Sequence, residues 1–222
     1  MMFVDPSGLD SVVYYAPGMK DQAVERALHY MKKYSTICYI AEIDSAEKLV
    51  AHWRGLATWA QIIDTVEIIS HGAAGNVKGV AGYGIGHLYF DDHGEDPEKI
   101  FHAKSFDGMD PQSRSASDLV TGVTIKELII NSCNSANPDI YNVLYGFILQ
   151  TTAGSYEGWD GGTSWDPKIK DHVKGGGYYQ GWKFWDPWEN VRQYQHTWWT
   201  HVEKDSNGVP GRDRIGKRAF YI

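Results

Sequence analysis

Cysteine is scarce in this 222-residue chain: Cys38 and Cys133 are the only two, too few for a disulfide scaffold. Basic residues are outnumbered, 21 Lys and Arg standing against 28 Asp and Glu for a formal net charge of -7. With no basic excess to displace counterions, general affinity for a nucleic-acid backbone is not expected. Long apolar runs are missing as well. No stretch approaches the roughly 18 residues of a spanning helix. The amino terminus lacks the basic-then-apolar pattern of a signal peptide, so no membrane insertion is expected. There is no internal repeat and no low-complexity segment. These absences leave the expectation of a soluble, thiol-reduced, single-domain protein long enough for a substantial core.

Aromatic residues and glycine are plentiful instead. Nine Trp and fourteen Tyr are many for this length, and the tryptophans concentrate late, at Trp159, Trp165, Trp182, Trp185, Trp188, Trp198 and Trp199. Glycine, 24 residues in all, clusters in two places, between Gly72 and Gly86 and between Gly154 and Gly177. Such clusters read as loops around a scaffold, where sites usually sit.

Between them the chain alternates strand-like and helix-like segments. Residues 11–16 (SVVYYA) are β-branched and aromatic and close on Pro17-Gly18. Ala23, Val24, Ala27, Leu28, Met31 and Tyr34 form an apolar helical stripe over 21–34. Residues 36–43 (TICYIAEI) are a second strand, in which Cys38 reads as packing. Ser45 can cap a second helix with Ala46, Leu49, Val50, Trp53, Leu56, Ala57 and Ala60 on its inner face. Residues 65–70 (TVEIIS) are a third strand ending at His71-Gly72, and the polar insertion 91–113 is expected to be irregular. A short helical piece at 117–121 precedes a fourth strand, 126–132 (KELIINS), which ends at Cys133. Asn137 as N-cap and Pro138 at the first position open a further helix, with Ile140, Val143, Leu144, Phe147 and Ile148 inward. Strands at 151–156 and 177–184 complete the pattern. The expected fold is therefore α/β, a mostly parallel sheet of about six strands flanked by helices on both faces.

His71 and Cys133 each stand just past the carboxyl end of an expected buried strand. In an open parallel sheet those ends share the edge at which ligands bind. An imidazole beside a thiol is the minimal equipment for nucleophilic catalysis by cysteine. Gly72 would leave its backbone N–H uncovered, an oxyanion donor alongside the N–H of Cys133. The helix expected from Pro138 would add positive potential near the sulfur and lower its pKa.

A hydrophobic strand ending in Ser70-His71-Gly72, followed later by another ending in Asn131-Ser132-Cys133, resembles the caspase-like (clan CD) cysteine peptidases. The resemblance covers roughly residues 11–165. It implies a caspase-like sheet, with Cys133 as nucleophile, His71 as general base and acid, and the Gly72 and Cys133 amides as oxyanion hole. No cofactor is implied. Cys133 is followed by Asn134-Ser135 rather than a caspase-type Cys-Arg-Gly, so a preference for cleavage after aspartate does not carry over. The strand after the cysteine would wall the substrate groove, making Asn131, Ser155, Tyr156, Glu157, Trp159 and Asp160 substrate-binding candidates. Glu157 and Asp160, with Asp64 if it lies near, would favour a basic substrate side chain.

Phe3-Val4-Asp5-Pro6-Ser7-Gly8-Leu9 is similar to the end of the RHS-repeat core, whose tail carries a DPxGL signature. That resemblance implies a toxin module released from a larger shell: linker at 1–10, peptidase domain at 11–185, and a Trp-rich extension at 186–222 packed on the same domain. It further implies secretion or delivery by the parent polypeptide and action on a protein in a target-cell cytoplasm, and an active peptidase would need restraint in the producing cell, hence a neutralising immunity protein. His87, Asp91, Asp92 and His93 are metal-ligand types without a zinc spacing, and Gly82-Tyr83-Gly84-Ile85-Gly86 lacks the strand–helix context of a dinucleotide loop. No Ser lies in a G-x-S-x-G context. The rival readings are a non-catalytic protein- or glycan-binding module using the Trp-rich surface, and a toxin of other chemistry on the same scaffold.

Overall fold

The computed structural model describes residues 11–59, 62–73, 84–137, 140–159, 161–174 and 217–221. The first elements are β1 (Ser11–Tyr15), α1 (Lys20–Tyr34), β2 (Cys38–Glu42), α2 (Ala46–Trp59) and β3 (Ile63–Ile69). A small sheet follows, made of β4 (His71–Ala73), β5 (His87–Tyr89), β6 (Ile100–His102) and β7 (Arg114–Ser115). The chain then returns to the main sheet through β8 (Val123–Asn131), α3 (Val143–Ile148) and β9 (Thr151–Trp159). A hairpin of β10 (Thr163–Asp166) and β11 (Asp171–Lys174) comes next, and β12 (Lys217–Tyr221) pairs antiparallel with β9.

The main sheet runs β12-β9-β8-β3-β1-β2, and its five strands from β9 to β2 are parallel. The protein is thus α/β with a mostly parallel central sheet, as the alternation of segments leads one to expect. The alternate residues of β1 show how the sheet is covered. Val13 and Tyr15 pack with Ala23, Ala27 and Tyr30 of α1, whereas Val12 and Tyr14 share a core with Leu49 and Trp53 of α2 and Phe147 of α3. No helix among the described residues is long and apolar enough to cross a membrane.

Three expectations need correction. On α1 the buried side is Ala23, Arg26, Ala27 and Tyr30, while Val24, Leu28 and Met31 are 37%, 54% and 44% exposed. The helix is turned because Arg26 goes inward to a buried carboxylate, described below. The third helix starts at Val143, not at Pro138: the Asn142 carboxamide accepts from the Tyr145 amide at 2.9 Å and caps it. Asn137, fully packed, spends its amide on Asn134 instead. Finally, the insertion at 91–113 is partly ordered into strand, β6 pairing with both β5 and β7. The strand expected at 177–184, Asp160, the Trp-rich stretch at 182–199 and the DPxGL motif lie outside the described residues.

Candidate functional site

The register of two neighbouring parallel strands sets the site. β3 and β8 pair with Ile69 opposite Asn131, so His71 and Cys133 each follow two residues beyond the same rung. The Ser70 amide still donates to the Asn131 carbonyl at 3.4 Å, which keeps the two chain segments side by side past the ladder. Beyond this point the backbones nearly touch. A Cβ on Gly72 would lie 2.4 Å from the Cys133 carbonyl oxygen and 3.0 Å from Ser132 Oγ, so only glycine fits there. Asn134, with φ of 58°, turns the chain away after the cysteine and donates its amide to Gly161 at 2.8 Å.

His71 and Cys133 line one cavity of about 180 Å³ at the carboxyl ends of β3 and β8. Met19 and Gln22, from the connection into α1 and its first turn, form another part of the lining. The cavity therefore spans the ends of β1, β3 and β8. Since α1 and β2 lie to one side of β1 and β3 to the other, this is where the strand order reverses and where ligands bind in such sheets.

The imidazole of His71 stacks on Tyr89 of β5, ring centroids 5.2 Å apart and planes within 15°. Burial pulls His71 below its ordinary pKa, although Asp92 and Asp91 act in the opposite sense. The thiol of Cys133 is held by the backbone of Thr163, whose N–H donates to Sγ at 3.3 Å and whose carbonyl accepts from it at 3.6 Å. Burial pushes the thiol above its usual range, and the Thr163 contact offsets only part of that. The lowering expected from a nearby helix start is overturned, since α3 begins only at Val143. Both effects favour the neutral forms of the two groups, and no hydrogen bond joins Sγ to the His71 ring among the described residues.

Under the cavity lies a buried polar network absent from the sequence reading. Glu67 of β3 is fully buried, and Arg26 Nε reaches its two oxygens at 2.9 and 3.1 Å. Arg26 also donates to Tyr30 at 2.7 Å; the Tyr30 hydroxyl and the Asn131 carboxamide both donate to Glu67. Trp159 Nε1 completes the chain by donating to Asn131 Oδ1 at 2.9 Å. Burial works against the Arg26 charge, but Glu67, Tyr30 and Asp171 together hold its pKa well above the ordinary value. A charge placed in the middle of the otherwise apolar TVEIIS strand was the available signal, because such a residue needs a buried partner.

Of the substrate-binding candidates among the described residues, Asn131 lines the cavity, whereas Ser155, Tyr156, Glu157 and Trp159 are not in its lining. Tyr156 is in the core with its hydroxyl spent on Thr151 and the Ala153 amide. Ser155 is buried within β9, and Trp159 packs beneath through its bond to Asn131. Glu157 sits mid-strand opposite Ile129, and Asp64 pairs with Lys126 at the other end of β3. The walls that sequence reasoning missed come from the hairpin, where Trp165 of β10 meets His172 of β11 edge to face at 5.2 Å. Asp91 closes a turn by accepting from the His93 and Gly94 amides, and no group of three or more metal-ligating side chains forms among the described residues. Comparison with protein-family models, with curated proteins and with solved structures returns no match.

Proposed function

We propose that this chain is a cysteine endopeptidase of the caspase-like kind, the toxin or effector module of an RHS-type polypeptide. The observation that carries the reading is the β3–β8 register, which puts His71 and Cys133 on one cavity at the carboxyl edge of a parallel sheet. The finer fold assignment, a caspase-like sheet of about six strands, goes with this reading. The delivery route and action in the target-cell cytoplasm rest on the amino-terminal motif, and a neutralising immunity partner on the need to restrain an active peptidase in the producing cell.

With both groups neutral, the thiol gives up its proton as it attacks. The Cys133 sulfur bonds to the scissile carbonyl carbon while the His71 imidazole takes the thiol proton. The carbonyl oxygen becomes an oxyanion, received in this scheme by the Gly72 and Cys133 amides. His71 then passes its proton to the leaving amine as the C–N bond breaks, leaving a thioester. Water, deprotonated by His71, hydrolyses the thioester and restores the thiol. Entry of the carbonyl requires Thr163 to release the sulfur.

The rival, a non-catalytic binding module, is favoured by one observation: a buried thiol already engaged by Thr163. Labelling with a thiol-reactive peptide ketone, read by intact mass, separates the two. Rapid single labelling at Cys133 that slows sharply in His71→Ala is expected of the peptidase. Equal slow labelling with and without His71 would leave the binding module.

A further inference from the structure

The lining of the cavity determines what it admits. At about 180 Å³ it is smaller than the roughly 300 Å³ at which small-molecule sites begin, so it has room for one side chain. Among the described residues its walls carry no carboxylate, ammonium or guanidinium, and the titratable groups lining it are the imidazoles of His71 and His172 and the Cys133 thiol. Glu67 touches the lining residue Asn131 from behind, but its oxygens are already occupied by Arg26, Tyr30 and Asn131. Arg26 is equally committed, to Glu67, Tyr30 and Asp171. His71 is kept neutral by burial. A charged side chain entering here would lose its hydration and meet no carboxylate, ammonium or guanidinium among the described lining residues. One lining group does lack a partner: Ser70 is 5% exposed, and its buried hydroxyl makes no hydrogen bond among the described residues.

We propose that this cavity is the subsite for the side chain preceding the scissile bond, and that it selects an uncharged hydrogen-bonding group, a carboxamide, with Ser70 as the specificity-determining partner. The inference rests on the peptidase reading and replaces the basic preference expected from Glu157, Asp160 and Asp64. A carboxamide offers an acceptor to the Ser70 hydroxyl and donors to the surrounding amide and backbone oxygens, and it brings no charge.

Four peptide ketones that differ only in the last residue, Gln, Met, Arg or Glu, test it on the full chain, with rates read as mass added at Cys133. The Gln probe is expected to label about tenfold faster than Arg or Glu, since a buried unpaired charge costs at least one factor of ten. Gln should also outrun the similarly sized Met, and Ser70→Ala should erase that advantage, read as the Gln-over-Met ratio within the variant. The variant removes a hydroxyl that makes no hydrogen bond among the described residues, so the fold should tolerate it. Labelling by Arg or Glu as fast as by Gln would overturn the subsite alone, as would a Gln-over-Met ratio unchanged in Ser70→Ala. Failure of all four to modify Cys133 would overturn the peptidase reading and the subsite with it.

Discussion

The backbone of Thr163 grips the sulfur of Cys133 from both sides, N–H donating at 3.3 Å and carbonyl accepting at 3.6 Å. Thr163 opens the β10–β11 hairpin, which two ion pairs tie to α1: Arg26 with Asp171 at 3.1 Å and Lys170 with Glu25 at 2.9 Å. Loosening the hairpin should free the thiol. Asp171→Asn is expected to raise the alkylation rate of Cys133 about two- to fivefold, in keeping with the small worth of a part-exposed ion pair. An unchanged rate would mean that the hairpin is held by its other contacts.

The same burial fixes how thiol reactivity depends on pH. Burial pushes the Cys133 thiol up and pulls the His71 imidazole down, and both effects disfavour a thiolate–imidazolium pair in the resting protein. Iodoacetamide should react with Cys133, in a Cys38→Ser background, at a rate still rising at pH 9. A plateau already reached near about pH 7 would contradict the burial assigned to the thiol.

Gly72 cannot become alanine without moving the site. Its added methyl would meet the Cys133 carbonyl at 2.4 Å, backbone against backbone. Gly72→Ala should cost about 1–3 kcal/mol in urea unfolding and abolish fast labelling of Cys133. Retention of both would show that the two segments separate more easily than their contact suggests.

The Glu67 network invites a double-variant test. Glu67→Gln leaves Arg26 buried without its main counter-charge and should destabilise by about 3–5 kcal/mol. Arg26→Met combined with Glu67→Gln removes both charges and should recover much of that loss. Additive losses in the double variant would show that the two residues are not coupled.

A fifth expectation concerns acid. His102 of β6 lies against His87 and Phe106, and burial, with His87 adding to it, lowers its pKa from the ordinary 6.5 to about 4. Between those two values the unfolded chain binds a proton that the folded chain refuses. Stability is therefore complete above about 6.5 and declines as pH falls toward 4. The urea midpoint should drop over that window, and less so in His102→Phe, which keeps an aromatic ring but cannot titrate.

The strands β1, β3 and β8 were legible because each carries an apolar run buried on both faces, whereas β4 to β7, the β10–β11 hairpin and β12 carry no comparable apolar run. The alternation of these runs with amphipathic segments fixed a parallel α/β sheet, and the motif positions put His71 and Cys133 at strand ends. The inward face of α1 was misread because apolar periodicity counts Val24, Leu28 and Met31 and cannot foresee Arg26 turning toward Glu67. The start of α3 was misread because Asn137-Pro138 and Asn142 offer competing caps, and the backbone is free to choose the one that leaves Asn137 packed.

What the sequence by itself determined is local: which segments bury on both sides and which residues terminate them. Side-chain period and composition act within a few residues, so they survive without knowledge of neighbours. Only the tertiary structure decided that Ile69 stands opposite Asn131, that the Thr163 backbone occupies the Cys133 sulfur, and that Glu67 is neutralised before it can colour the cavity. Those facts depend on strand register and on partners far apart in the chain, and register is set by the packing of the whole sheet.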